Sequence, residues 1–259
     1  MNTWSTWPCR VGVALFLGSL VLGGTMTAQE RPPGTAVLRV GVSPVFPPMA
    51  FKQGGQLAGV EVDLARALSE NLGRKATFVE LPWEDQIEAL RAGRIDIIMS
   101  SMSITAARRY ILDFSRPYLV VGQLPLVRRE DKNQYLLGLP SKLGTVGVLK
   151  ATTGEFLVQR DYPKASRKVF KSEDEAAKAL LKKKIDLFIG DSTLVWYLSG
   201  LHAADGLAAV AIPLSEEAVA WGIRKGDDQL LAAANQFLQK ASTDGTLNRV
   251  FRRWTAVSP

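Results

Sequence analysis

Two stretches constrain the fold of this chain more than anything else in it: "RAGRIDIIMSS" at 91–101 and "LKKKIDLFIGD" at 181–191. Each is a helix end, a basic turn, an Ile-Asp pair and an apolar strand that finishes in polar residues. A unit of this kind cannot bury its own apolar strand, so each copy needs a sheet with helices on both faces. Its recurrence predicts two similar α/β lobes.

The surrounding sequence fits that frame. "VLRVGV" reads as a strand, and "GVEVDLARALSENLG" carries a helical stripe at Val60, Leu64, Leu68 and Leu72, closed by Gly73. "ATFVEL" is a strand and "EDQIEALRAG" a short helix leading into "IDIIMS". In the second copy "GTVGVL", "TGEFLVQRD", "RKVF", "SEDEAAKALLKKK", "IDLFIGD" and "STLVWYLSG" repeat the rhythm, with Ser172 and Glu175 in capping-box spacing. "YLVVGQLPLVRRED" (118–131) and "EEAVAWGIRKG" (216–226) are apolar and extended, and are expected to cross between the lobes. The tail reads as two helices divided at Asp244–Gly245. The expected architecture is two mainly parallel sheets flanked by helices and joined by two hinge strands. Lobe 1 takes residues 37–119 plus 220–259, and lobe 2 takes 120–219. Such a pair can close on a ligand.

The first 36 residues are a separate object. "VGVALFLGSLVL" (11–22) is an apolar run with Arg10 before it and small residues after it, the pattern of a secretory signal. Cleavage is expected near Ala28, with 29–36 as a Pro/Gly-rich leader and the mature protein in the periplasm. Formal net charge is +7, and Arg10 is the one charged residue of the signal, which leaves +6. The basic residues form no run with interleaved aromatics, so nucleic acid is not an expected partner. Cys9, the single cysteine, leaves with the signal, so no disulfide or thiol chemistry is expected. The lone His202 makes neither a zinc site nor a triad, and no cofactor or metal is expected.

In open parallel sheets ligands sit beyond the carboxyl ends of the strands. That rule selects Phe46 in "SPVFPPMAF", Trp83 in "LPWEDQ", and Ser100, Ser101, Ser103 and Arg108 in "SSMSITAARR". From the second lobe it selects Thr152 and Thr153 in "LKATTGE" and Asp191 in "LFIGD". Arg108 can grip a carboxylate through two parallel hydrogen bonds, and a helix starting near Thr153 offers an anion seat. Asp191 suits an ammonium group, and Phe46 and Trp83 offer flat apolar surface. Together they describe a receptor for an α-amino acid. Each residue also has an ordinary structural role: a solvated arginine at 108 or 109, core aromatics, and helix caps at Thr152, Thr153 and Asp191.

At these residues the sequence resembles the periplasmic amino-acid-binding proteins of ABC importers, those akin to the glutamine- and lysine/arginine/ornithine-binding proteins. The carriers are "LRVGVSPVFPPMAF", "GVEVDLARAL", "GRIDIIMSSMSITAARRYILDFSRPY", "TVGVLKATTGE", "IDLFIGD" and "DGTLNRVFRRW", in that order from Leu38 to Trp254. The resemblance implies a two-lobe binding protein without catalysis, a free amino acid as ligand, an inner-membrane ABC permease as partner, and a monomer. It places the ligand carboxylate on Ser103, Arg108 and the Thr153 N–H, and the ammonium on Asp191 and the Ser101 carbonyl. Phe46, Trp83 and Leu149 would flank the ligand side chain. The sequence departs from the family pattern at Ala151, where a glycine is usual, and at Ser43, where members specific for basic side chains carry an acid. Lys150, at the expected cleft rim, would favour an acidic or amide side chain. The resemblance also extends to a cyclohexadienyl dehydratase on the same scaffold, which acts on prephenate or arogenate; Glu84 and Glu155 are the acids here that could serve as its proton donor.

Overall fold

The computed structural model describes residues 37–140 and 143–255. The expected signal peptide and leader lie outside the described residues. β1 (Val37–Val42) is followed by a small antiparallel sheet of β2 (Val45–Phe46), β3 (Ala50–Gln53) and β4 (Gln56–Ala58). Next come α1 (Val60–Asn71), β5 (Lys75–Glu80), α2 (Gln86–Arg91), β6 (Ile97–Ile98), α3 (Ala106–Ile111) and β7 (Leu112–Phe114). β8 (Leu119–Val121) leads into β9 (Gln123–Arg128). The second series is β10 (Thr145–Leu149), α4 (Thr153–Asp161), β11 (Ser166–Phe170), α5 (Glu173–Leu181), β12 (Leu187–Asp191), α6 (Ser192–Leu201) and β13 (Leu207–Ala209). β14 (Glu217–Val219) leads back to β15 (Gly222–Arg224), α7 (Asp228–Thr243) and α8 (Thr246–Trp254).

Two five-stranded sheets result, in the orders β5-β1-β6-β15-β7 and β11-β10-β12-β9-β13. In each, the first three strands are parallel and the last two are joined antiparallel. The parallel strands are those of the repeated rhythm. One strand in each sheet runs against the other four, and each continues a crossing: β9 follows β8 and β15 follows β14. β8 and β14 pair with each other antiparallel, Leu119 opposite Val219 and Val121 opposite Glu217. These two short strands are the crossings.

The repeat has a physical explanation in both sheets. Ile95 and Ile185 are buried, and each lies against a glycine of the neighbouring parallel strand. A Cβ on Gly41 would come within 2.4 Å of the Ile95 Cδ1, and one on Gly147 within 2.5 Å of the Ile185 Cδ1. The "VGV" of β1 and of β10 therefore leaves the space that the isoleucine fills. The aspartate that follows turns back to the same neighbour. Asp96 accepts the Arg39 N–H at 2.9 Å and pairs with the Arg39 guanidinium at 2.7 Å, and Asp186 accepts the Thr145 N–H at 2.7 Å.

The core of the first lobe forms between α1, α7 and α8 on one side and the sheet on the other. Val60, Leu64 and Leu68 of the helical stripe are fully buried there with Trp221, which stacks on Phe237 at 6.0 Å. Burying side chains of this size contributes about 1.5–3 kcal/mol each relative to exposure. No helix among the described residues is long and apolar enough to cross a membrane.

Candidate ligand-binding cleft

The loops that leave β5, β6 and β10 converge on a cleft of about 720 Å³, lined among others by Trp83, Met102, Arg108, Ala151, Thr153 and Glu217. Arg108 lies in the first turn of α3, where the Thr105 hydroxyl accepts its N–H at 3.2 Å. Its side chain is buried whereas Arg109 is exposed, which separates the two arginines that spacing leaves equivalent. The guanidinium donates to the Ser103 carbonyl at 2.9 Å and reaches the Ala151 carbonyl at 3.5 Å, and it lies 5.1 Å from the centre of the Trp83 ring. Burial pulls its pKa down, while Asp191 and then Glu217 pull it up.

Opposite stands the N-terminus of α4. Thr152 is its cap, accepting the Glu155 N–H at 3.3 Å, so Thr153 is free to take another role. The Thr153 hydroxyl meets the Gln123 amide at 3.1 Å. Ala151, where the family pattern has glycine, does sit in the left-handed region at φ +58°. An L-residue other than glycine pays roughly 1–2 kcal/mol for that conformation. The conformation aims the Ala151 carbonyl across the cleft, where it accepts the Trp83 indole N–H at 2.9 Å as well as Arg108.

Asp191 occupies the position before α6 but makes no capping bond. Its carboxylate instead accepts from the Gln123 amide at 2.6 Å, and the same nitrogen lies 3.3 Å from Glu217. Burial raises the Asp191 carboxyl to about 6; Glu217 pushes it further up, while the Gln123 bond and the Arg108 charge act against the rise. Neither Asp191 nor Arg108 has an ion-pair partner within 4 Å among the described residues.

The structure thus brings Trp83, Arg108 and Thr153 to the cleft wall and links Asp191 to it through Gln123. Ser101, Ser103, Phe46 and Leu149 are buried, none more than 6% exposed. Phe46 meets Trp83 edge-on at 5.6 Å and packs in one apolar cluster with Leu149, so it faces the second lobe's core rather than solvent. One side-chain expectation changes: Lys150 pairs with Glu84 at 2.8 Å. Ser43 is buried, its backbone N–H donating to the Ser100 hydroxyl at 2.8 Å. Gln123 and Glu217 escape the strand-end rule because both come from the crossings; their signal is a polar residue inside each apolar crossing stretch.

Two α/β lobes joined by two crossing strands, with a cleft walled by loops of both, are the architecture of a solute-binding protein. The chain belongs to the bacterial extracellular solute-binding proteins, family 3, which it matches over residues 38–257. A probable histidine-binding protein of Neisseria gonorrhoeae is 30% identical over 240 residues, covering 90% of this chain and 88% of that protein. An ancestral arginine-binding protein solved with arginine superposes with a TM-score of 0.78 at 32% identity, covering 84% of this chain and 97% of the other. An ancestral amino-acid-binding protein described as a precursor of cyclohexadienyl dehydratase gives 0.76 at 34% identity, with 84% and 94% covered.

Proposed function

We propose that the protein captures a free α-amino acid in the periplasm, after loss of a signal peptide near Ala28, and hands it to an inner-membrane ABC permease. Residues 37–119 with 220–259 form one lobe, residues 120–219 the other, and β8 and β14 the hinge. Arg108, Ser103 and the Thr153 N–H hold the ligand carboxylate. Asp191 and the Ser101 carbonyl hold the ammonium. The observation that carries this reading is a buried guanidinium in the cleft wall and a buried carboxylate joined to that wall through Gln123, both without ion-pair partners among the described residues. Buried charges are costly unless compensated, and a zwitterion compensates both at once. The binding proteins among the relatives support the same class. The acids nominated as proton donors for a dehydratase are already engaged, Glu84 by Lys150 and Glu155 by the Ala151 N–H at 2.7 Å, which favours a binding protein over an enzyme.

The test is thermal unfolding of protein stripped of ligand by unfolding and refolding, against twenty amino acids and prephenate. A ligand of about 1 μM affinity at about 1 mM should stabilise by about 4 kcal/mol, a rise of roughly 8–16 °C. No shift from any amino acid sinks the proposal, and product formed from prephenate would replace it.

A further inference from the structure

Glu61 is buried completely, lies outside the cleft, and has no lysine or arginine against its carboxylate among the described residues. It stands in the first turn of α1, where its N–H is fixed on the Met49 carbonyl at 2.8 Å. Its carboxylate gathers three donors from three separate parts of the chain. Oε1 accepts the Ser101 N–H at 2.8 Å and the Tyr118 hydroxyl, and Oε2 accepts the Trp221 indole N–H at 3.0 Å. Tyr118 is the residue before β8, and its N–H bonds the Val219 carbonyl of β14 at 3.1 Å. Trp221 is the residue before β15. One carboxylate therefore ties the loop after β6 to the ends of both crossing strands.

Ser101 shows why such a tie is needed. Its φ is +56°, a conformation that serine adopts only with compensation. The bond from its N–H to the Glu61 carboxyl at 2.8 Å supplies that compensation, most strongly when the carboxyl is ionised. It also fixes the orientation of the loop that bears Ser101, Ser103 and Arg108.

We propose that Glu61 is a positioning residue for ligand capture: it holds the Ser101 turn in its left-handed form and fastens that loop to both hinge strands. Occupation of the cleft and movement of the hinge then act on one shared carboxylate. The inference rests on the amino-acid reading of the cleft for its effect on affinity, but its geometry can be tested without any ligand.

The groups that face Glu61 are Ser101 from the loop, Tyr118 from the first crossing and Trp221 from the second; among these Tyr118 titrates, and its pKa is raised far beyond neutral by burial. Burial lifts the Glu61 carboxyl to about 7 in spite of the three hydrogen bonds. Nitrogen-15 NMR of the ligand-free protein between pH 5 and 9 should show the Ser101 amide and the Trp221 indole N–H moving together with one midpoint. Glu61→Gln keeps one acceptor oxygen but sets an amide NH2 against the Ser101 N–H or the Trp221 indole N–H, donor against donor, and should weaken the amino acid that gives the largest thermal shift by about tenfold. Ser101→Gly in the Glu61→Gln background should recover at least a third of that loss on a logarithmic scale, because glycine takes φ near +56° unaided. A merely structural role would lower the unfolding temperature without this rescue. Affinity within about twofold of wild type in Glu61→Gln overturns the proposal, as does the absence of rescue. Should Glu61→Gln not fold, the wild-type titration decides, and independent behaviour of the two N–H signals overturns it. A wild-type protein that binds no amino acid refutes the reading of the cleft instead, and leaves the co-titration to judge Glu61.

Discussion

Asp191→Asn should make the ligand-free protein more stable while making it a poorer receptor. Burial and the neighbouring Glu217 raise the Asp191 carboxyl from an ordinary 3.8 to about 6. A carboxyl whose folded pKa lies above its unfolded value destabilises the fold once it ionises, and the penalty is complete above the folded pKa. The difference corresponds to roughly 3 kcal/mol at pH 7, an upper bound for a group this buried. Asparagine keeps the acceptor for the Gln123 amide and removes the like charge beside Glu217, whose buried Oε2 has no hydrogen-bond partner among the described residues. For a domain pair of this size the gain is a rise of up to about 6–12 °C in unfolding temperature at pH 7. At pH 4, close to the unfolded pKa, the advantage should shrink to below about 1 kcal/mol. Calorimetric unfolding of both proteins at the two pH values gives the comparison. In titration calorimetry the same variant should lose about 2–5 kcal/mol of affinity for an amino acid, and far less for the matching deaminated acid. A variant no more stable than wild type at pH 7, or an equal loss for both ligands, would refute the assignment of Asp191 as an uncompensated ammonium seat.

Arg108→Ala should abolish amino-acid binding with the fold retained, a loss of about 2–5 kcal/mol; titration calorimetry showing unchanged affinity would remove the guanidinium from the carboxylate seat. Ala151→Gly should stabilise the protein by up to about 1 kcal/mol by relieving the left-handed alanine, the gain being reduced by the freer unfolded chain. Denaturant unfolding reads that change.

Much of the fold was legible because its determinants are local. The helical stripe of α1, the Ser172 cap of α5 and the break at Asp244–Gly245 all stand where spacing predicts them. The strand read from "IDIIMS" shortens to Ile97–Ile98, its start marked by Asp96, whose carboxylate accepts from the backbone of β1. The antiparallel strands that complete each sheet were less legible. Nothing in the period of "QLPLVR" or "GIR" states which edge a returning strand will join.

The site divides along the same line. Arg108, Thr153 and Asp191 could be read because a strand end or a helix start positions each, and those are local features. Gln123, Glu217 and Glu61 could not, because their chemistry lies in partners distant along the chain: Gln123 reaches Asp191 68 residues on and Glu217 94 residues on, and Glu61 reaches Trp221 across 160. In the sequence Glu61 is an acid in the first turn of a helix, where the macrodipole alone explains it. In the fold that acid is buried and holds three donors, and two of them flank the crossing strands of the hinge. Local pattern thus points to the residues proposed to touch the ligand. The polar network that joins the crossings exists only once both have been made, and no local pattern states it.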